Sequence, residues 1–319
     1  MAGGFMFWRM LLTRDRLLPT VLVLSALLAG CVLAGCAGEV DPAAIVLEPV
    51  AKLGAGARKE ISGIVRSRRD PGVFWTQNDS GDEPRIYPIR ADGSIVPSER
   101  YSEIPGLLIG GAINCDWEAI AIDGSGRIII ADFGNNSNAR RDLALYFVEE
   151  PETTEGRTTF TSKVMIRYPD QRTFPAARDD FNFDAESLFT VGDDVFILTK
   201  HRSDTFTKMY RLEAREAGVV NMLTPVGTFD IGGKATGADA SPDGLKLVVL
   251  TYDRIWLFER TTIAEPFFAG TVRSVAYRMK DGESDSEAIC FENDRALLIA
   301  DESRAMLYRV ELSVFGGGV

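Results

Sequence analysis

The chain has 319 residues and a formal net charge of −11, from 46 acidic against 35 basic side chains, with one histidine and four cysteines. An acidic balance of that size disfavours nucleic acid and anionic lipid as general partners and suits a cation-binding protein. A single histidine and four scattered cysteines leave no basis for a zinc cluster.

Residues 1–36 read as an export signal. Arg9, Arg14 and Arg16 form a basic start, an apolar stretch covers 17–29, and two matches to the lipobox of bacterial lipoproteins follow: Leu28-Ala29-Gly30-Cys31 and Leu33-Ala34-Gly35-Cys36. Cleavage before Cys31 or Cys36 frees the thiol that accepts the lipid, anchoring the chain to the outer face of a bacterial membrane, at the cell surface or in the periplasm. Residues 17–36 would also span a bilayer uncleaved, since about 20 apolar residues suffice. Either way the body lies outside the cytoplasm. Cys31 follows an apolar region of ordinary length, whereas Cys36 is followed by Gly38, Glu39 and Asp41, so both stay open. Loss of 1–36, with three arginines against Asp15, shifts the charge from −11 to −13. Residues 37–43 are a tether of at most ~25 Å, and 44–319 form one domain near the lipid surface.

Five copies of one phrase run through that domain. They are Glu60-Ile61-Ser62-Gly63-Ile64, Asp116-Trp117-Glu118-Ala119-Ile120, Asp184-Ala185-Glu186-Ser187-Leu188, Lys234-Ala235-Thr236-Gly237-Ala238 and Asp285-Ser286-Glu287-Ala288-Ile289. Their central residues are 56, 68, 50 and 51 positions apart, the period of a repeat architecture with loop insertions. Each phrase opens a strand that turns back. In the second, Asp123-Gly124-Ser125-Gly126 separates two aliphatic runs, a hairpin signal. Symmetry about the five turns sets Ser62 opposite Asn78, Glu118 opposite Asp132, Glu186 opposite Lys200, Thr236 opposite Thr251 and Glu287 opposite Asp301.

Third strands follow at Arg85-Ile86-Tyr87, Leu145-Tyr146-Phe147-Val148, Lys208-Met209-Tyr210-Arg211-Leu212, Ile255-Trp256-Leu257-Phe258 and Met306-Leu307-Tyr308-Arg309-Val310. Fourth strands are expected at Ser94-Ile95-Val96, Lys163-Val164-Met165-Ile166, Val226-Gly227-Thr228-Phe229 and Val272-Arg273-Ser274-Val275. The fifth repeat runs out of chain, and the N-terminal Leu47-Glu48-Pro49-Val50-Ala51-Lys52-Leu53 supplies its missing strand, which closes the circle and hides the sheet edge. The expectation is an all-β, five-bladed β-propeller of four-stranded antiparallel blades. Cys115 and Cys290 fall in non-adjacent repeats and are expected as buried thiols rather than a disulfide.

In a propeller the first strand of every blade lines the central channel. The repeats therefore gather Ser62, Glu118, Glu186, Thr236 and Glu287 in an inner ring, framed by Glu60, Asp116, Asp184, Lys234 and Asp285. Strand ends add Asn78, Asp132, Lys200, Thr251 and Asp301. Carboxylates ~5–8 Å apart repel by about 2–3 kcal/mol per pair at an effective dielectric near 20. A bound cation, protonation, channel water, or Lys200 and Lys234 would offset that. All candidate ligands are oxygens, which suits Ca²⁺ better than the tighter octahedron of Mg²⁺. A wet polar channel with acids capping backbone N–H groups is the alternative.

The phrases Trp75-Thr76-Gln77-Asn78-Asp79-Ser80-Gly81, Asp116-Trp117-Glu118-Ala119-Ile120, Asp132-Phe133-Gly134-Asn135-Asn136 and Thr236-Gly237-Ala238-Asp239-Ala240-Ser241-Pro242-Asp243-Gly244 resemble exported bacterial propellers grouped as SdiA-regulated or phytase-like proteins. The resemblance covers about 45–310 and implies the fold rather than an activity. The Ser, Glu, Glu, Thr and Glu arrangement is also similar to that of calcium-activated nucleotidases, which implies an axial calcium on Ser62, Glu118, Glu186, Thr236 and Glu287. Their further nucleotide-binding motifs are absent from this chain, which puts apyrase activity in doubt.

Other features frame the same mouth. Arg140 or Arg141, on the polar loop 132–141, could bind a carboxylate or phosphate; such a loop also packs by Asn–backbone bonds. The insertion 167–183 is a lid or plain decoration. His201 beside Lys200 is a candidate base, though a lone exposed histidine is usually idle. Two functions follow. One is a membrane-anchored, calcium-centred module binding a small anionic ligand or an envelope partner. The other is a metal-dependent hydrolase of phosphate esters or lactones, with Asp132 or Asp301 as base, and Lys200, Arg140 or Lys234 neutralising the anion. An empty structural channel is a third.

Overall fold

Alternating apolar runs around tight turns build five hairpins, and each hairpin is the inner half of a blade. A computed structural model describes residues 44–280 and 282–316; the expected signal 1–36, with Cys31 and Cys36, and the tether 37–43 lie outside the described residues. Blade one is Ile61–Arg66, Val73–Asn78, Arg85–Arg90 and Leu107–Gly110, and blade two is Trp117–Ile122, Arg127–Asp132, Ala144–Glu149 and Ser162–Arg167. Blade three is Ala185–Val191, Asp194–Thr199, Phe206–Leu212 and Thr224–Asp230. Blade four is Gly237–Ala240, Lys246–Leu250, Arg254–Glu259 and Thr271–Met279. Blade five combines Ser286–Asn293, Ala296–Asp301 and Met306–Glu311 with the N-terminal Pro49–Lys52, antiparallel to Met306–Glu311. The innermost strands contact one another in order around a closed ring. This is the five-bladed propeller the repeats predict. Helix among the described residues is limited to three 3-10 turns, and none is long and apolar enough to cross a membrane.

Blade one departs from expectation. Its fourth strand is Leu107–Gly110, whereas Ser94-Ile95-Val96 makes only the Ile89–Ile95 bridge of a small rim hairpin. Leu107 and Ile109 are fully buried in the seam with blade two, and burial decides which segment completes the sheet.

The blades are not all four-stranded, and the reason is the management of edges. Each outermost strand is covered by the segment leading to the outer strand of the next blade. Arg157–Thr159 adds a parallel strand to Leu107–Gly110, Val220–Met222 adds one to Ser162–Arg167, and Ile45–Leu47 adds one to Thr271–Met279. Over blade three the turn Phe267–Ala269 does the same work, with Phe268 against Phe229 at 5.4 Å. Over blade five it is the Gly93 turn, whose φ of 77° and lack of a Cβ let it lie against the Lys52 carbonyl. Unpaired strand edges invite pairing with other chains, and all five are blunted.

Packing lies in five apolar seams, one per pair of neighbouring blades. Trp75, Ile86, Trp117 and Ile130 fill the seam between blades one and two, and Ile129, Leu145, Leu188 and Ile197 fill the next. Strand alternation sends Ile120 into the first seam and Ala119 and Ala121 into the second. Each fully buried large apolar side chain contributes ~1.5–3 kcal/mol. Cys290 is buried in the seam between blades five and one, as expected, but Cys115 is exposed; both are free thiols. Cys115 lies on the mouth loop just before Trp117, where burial begins.

Candidate functional site

One local device repeats at the start of four innermost strands. Pairing runs Ile61–Asn78 then Gly63–Gln77, Trp117–Asp132 then Ala119–Ala131, Ala185–Thr199 then Ser187–Leu198, and Ser286–Asp301 then Ala288–Ala300. Ser62, Glu118, Glu186 and Glu287 are each the extra residue of a β-bulge, which re-aims a side chain at a strand end. The hairpin symmetry thus holds in blades one, two and five. In blade three it is off by one: Thr199, not Lys200, stands opposite the bulge, because the tight turn at Gly192 and Asp193 joins strands paired Val191–Asp194. Lys200 therefore sits one step further in, level with Asp79 and Glu302: their N–H groups bond to Asp184, Glu60 and Asp285 carbonyls in turn.

The five inner-ring residues are all buried. Ser62, Glu186 and Glu287 line a constriction of about 10 Å³, room for roughly one water. The Ser62 hydroxyl donates to Glu118 Oε2 at 3.0 Å, and the Thr236 hydroxyl donates to the Ser286 carbonyl at 2.7 Å. Lys200 enters the ring itself. Its Nζ donates to Glu186 Oε1 and, at 3.3 Å, to Glu287 Oε1, and lies 5.3 Å from the Tyr252 ring centroid. Tyr252 also donates its hydroxyl to Glu287 Oε1 at 2.8 Å. Burial opposes the Lys200 charge, but Glu186 and Glu287 outweigh it and push its pKa up. Glu186 Oε2 is left buried without a hydrogen-bond partner.

Two carboxylate triads flank the ring: Asp79, Asp116 and Glu118, and Asp285, Glu287 and Glu302, each offering oxygens within 4.8 Å of one another. Asp79 and Glu302 are absent from the sequence-derived set. Both follow a strand end immediately, at Asn78-Asp79 and Asp301-Glu302, and that adjacency is the signal that could have found them. Burial, then repulsion from Asp116, Glu287 and Glu60 against one stabilising Ser80 N–H, raises Asp79 to about 6. Burial and the neighbouring Glu287 raise Glu302 to about 9. Glu118 is pushed well up by burial and by Glu186, Asp79, Asp184 and Asp116. Seven carboxylates thus share the mouth, and among the described residues only Lys200 and Arg140 come within ion-pair distance of any of them, Arg140 at 4.0 Å from Asp116.

Donor chemistry at the first triad fits a hard cation. All its ligand atoms are oxygens. Gly134 closes over it, and a Cβ there would lie 2.4 Å from both Asp116 Oδ2 and Glu118 Oε1. The ring of five fits less well, because Lys200 already occupies Glu186 and Glu287.

Other expected mouth residues hold the frame. Asp132 accepts from Arg140 at 2.9 Å and from the Asp116 N–H at 3.2 Å. Asp301, fully buried, accepts from Arg304 at 3.1 Å and from the Asp285 N–H at 3.0 Å. Asp184, also fully buried, takes Arg202 at 2.6 Å and the Asn135 N–H at 2.7 Å. Asn78 turns to Gly56 and Asp82, away from the channel, and Lys234 stands exposed at the rim. Arg140 is folded back onto the Gly134 carbonyl at 2.8 Å, while Arg141 lies 3.9 Å from the Phe174 ring centroid. The insertion is wall rather than lid, since Tyr168, Ala176 and Phe183 join the seam between blades two and three. His201 is buried, not exposed, and meets Asp204 at 2.6 Å.

No protein-family model and no curated protein sequence matches the chain. Solved structures match it at low similarity. Hydrazine synthase of Kuenenia stuttgartiensis is 10% identical over 80% of this chain and 72% of that one, with a TM-score of 0.42. Catalytically inactive virginiamycin B lyase of Staphylococcus aureus, solved with quinupristin, is 15% identical over 79% and 66%, at 0.39. A candidate gluconolactonase is 14% identical over 85% and 93%, at 0.43. Nothing about activity rests on likenesses at this level.

Proposed function

We propose that this chain is a lipid-anchored, extracytoplasmic propeller of the SdiA-regulated or phytase-like type, which binds calcium at Asp79, Asp116 and Glu118 and presents it to an anionic ligand at the channel mouth. The carrying observation is the first triad itself: three carboxylates within 4.8 Å, roofed by a glycine, with Arg140 no nearer than 4.0 Å. The lipobox supports the location, and location matters to occupancy. Extracellular calcium modules work at ~10⁻⁴–10⁻³ M, an affinity a part-buried triad can supply. Calorimetric titration of the chelated protein with calcium tests the site. Stoichiometric binding, lost in Glu118→Gln, is expected; no heat and an unchanged melting temperature would remove it. Palmitate labelling of Cys31→Ser and Cys36→Ser variants tests the anchor, and labelling that survives both together would sink it.

A second reading, hydrolysis of phosphate esters or lactones at the same mouth, has one observation in its favour. Glu302, part-exposed and raised to about 9, keeps a proton at neutral pH that a leaving group could accept. Asp132, Lys200 and Asp301 are each tied into ion pairs. A screen of phosphomonoesters, phytate, nucleotides and lactones with the wild type and Glu302→Gln separates the readings. Silence on every substrate favours the binding module.

A further inference from the structure

The innermost strands run from the acidic mouth to the opposite face, and there their far ends enclose a cavity of about 350 Å³. All five blades contribute: Arg66 and Arg68 from the first, Ile122 from the second, Thr190 from the third, Asp239 from the fourth and Phe291 from the fifth. Its volume lies within the range of small-molecule sites, about 300–1,000 Å³. It shares no lining residue with the constriction of about 10 Å³ at Ser62, Glu186 and Glu287, so it is a distinct compartment.

Its polar groups are divided by side. Arg66 is exposed, with no ion-pair partner among the described residues. Arg68 spends its backbone N–H on Glu150 and makes only a long 3.4 Å contact to the Ile122 carbonyl with its guanidinium. On a non-adjacent blade, Asp239 Oδ2 accepts the Phe291 N–H at 2.9 Å, and the Ala240 N–H also bonds to the carboxylate, which lines the cavity held by backbone donors. Burial raises Asp239 to about 7, with the Phe291 and Ala240 N–H bonds and Arg68 pulling the other way. Val65, Ile122 and Phe291 supply apolar floor between the two poles.

We propose that this cavity is a second ligand site, taking a small polyhydroxy carboxylate whose anionic end meets Arg66 and Arg68 and whose hydroxyls donate to Asp239. A guanidinium fork is the matching partner for a carboxylate, and a carboxylate that has given two of its roughly four lone-pair sites to backbone N–H groups keeps acceptor capacity for a hydroxyl. Titration of the full chain with gluconate, followed by calorimetry, tests it against glucose, which lacks the anion, and acetate, which lacks the hydroxyls. Gluconate is expected to bind at one site, and the two controls at least about tenfold more weakly. Asp239→Asn, which keeps an acceptor for Phe291, and Arg66→Gln, at an exposed side chain, should each weaken gluconate by about tenfold or more. Glu118→Gln should leave it unchanged, which separates this site from the metal centre. No gluconate binding, equal binding of the controls, or indifference to both Asp239→Asn and Arg66→Gln overturns the proposal.

Discussion

Replacing Lys200 by methionine would strand two buried acids, and the cost can be worked out in advance. The side chains of Lys200, Glu186 and Glu287 are 5%, 4% and 9% exposed. At the 3.3 Å Lys200–Glu287 separation, an effective dielectric near 20 gives an attraction of about 5 kcal/mol, against a desolvation penalty of several kcal/mol per ion. Removing one partner of such a group destabilises by about 3–5 kcal/mol, because the remaining charge is uncompensated. For a domain of this size that is a fall in melting temperature of roughly 6–20 °C. The loss must depend on pH. Without the amine, Glu186 keeps its proton to higher pH in the fold than in the unfolded chain, so the folded state binds more protons and stability falls as pH rises above about 4.5. Urea denaturation of Lys200→Met and wild type at pH 5 and pH 7.5 should show a small difference at the lower pH and the full one at the higher. Calcium should restore part of it, since Glu186 and Glu287 would then be free oxygen donors. A loss below about 1 kcal/mol at pH 7.5, the size for an exposed pair, would refute the picture of Lys200 as the resident counter-ion.

Three other perturbations bear on the same mouth. Asp79 and Glu302 have their folded pKa values raised, to about 6 and about 9, so the chelated protein should lose stability as pH rises from 4.5 to 9, and calcium should flatten the curve. Denaturation in chelator that shows stability rising over that window would contradict it. Gly134→Ala places a methyl 2.4 Å from Asp116 Oδ2 and Glu118 Oε1; calorimetry should show calcium affinity down by about tenfold or more, with stability changed by about 1–3 kcal/mol. Asp301→Asn should cost about 2–4 kcal/mol by loosening Arg304 and the Asp285 N–H, whereas Asp285→Asn, which breaks no ion pair, should stay within about 1 kcal/mol by urea denaturation.

How much of this was legible follows from what each feature needs. Glu118, Glu287 and Ser62 could be placed because a hairpin's symmetry survives a one-residue bulge: the extra residue shares the partner its predecessor has. Lys200 could not, because a two-residue turn and a longer one give the same apparent midpoint, and only the Val191–Asp194 pairing resolves them. Asp79 and Glu302 lie one residue past their strand ends and Tyr252 two, where periodicity stops carrying information. Leu107–Gly110 follows the connector 91–106, and the edge-covering strands Ile45–Leu47, Arg157–Thr159 and Val220–Met222 are three residues long, too short for an alternation to register. The far cavity is assembled from strand ends and turns of five separate blades, and no local pattern announces it.

A hub of seven carboxylates is tolerable only if something else holds the wheel together, and the seams do. They bury their apolar side chains away from the axis, so the charge at the mouth can be arranged without regard to closure. Within that mouth the acids divide by partner. Asp132, Asp184 and Asp301 each hold an arginine and a backbone N–H, and these frame the loops. Asp79, Glu118, Asp285 and Glu302 hold no arginine or lysine among the described residues, and two of them are raised to about 6 and about 9 by their surroundings. A fold that needed acids only as struts would have neutralised the second set as it did the first. Leaving it short of positive charge, beside one lysine that serves two glutamates, is the arrangement expected of the cation site proposed above.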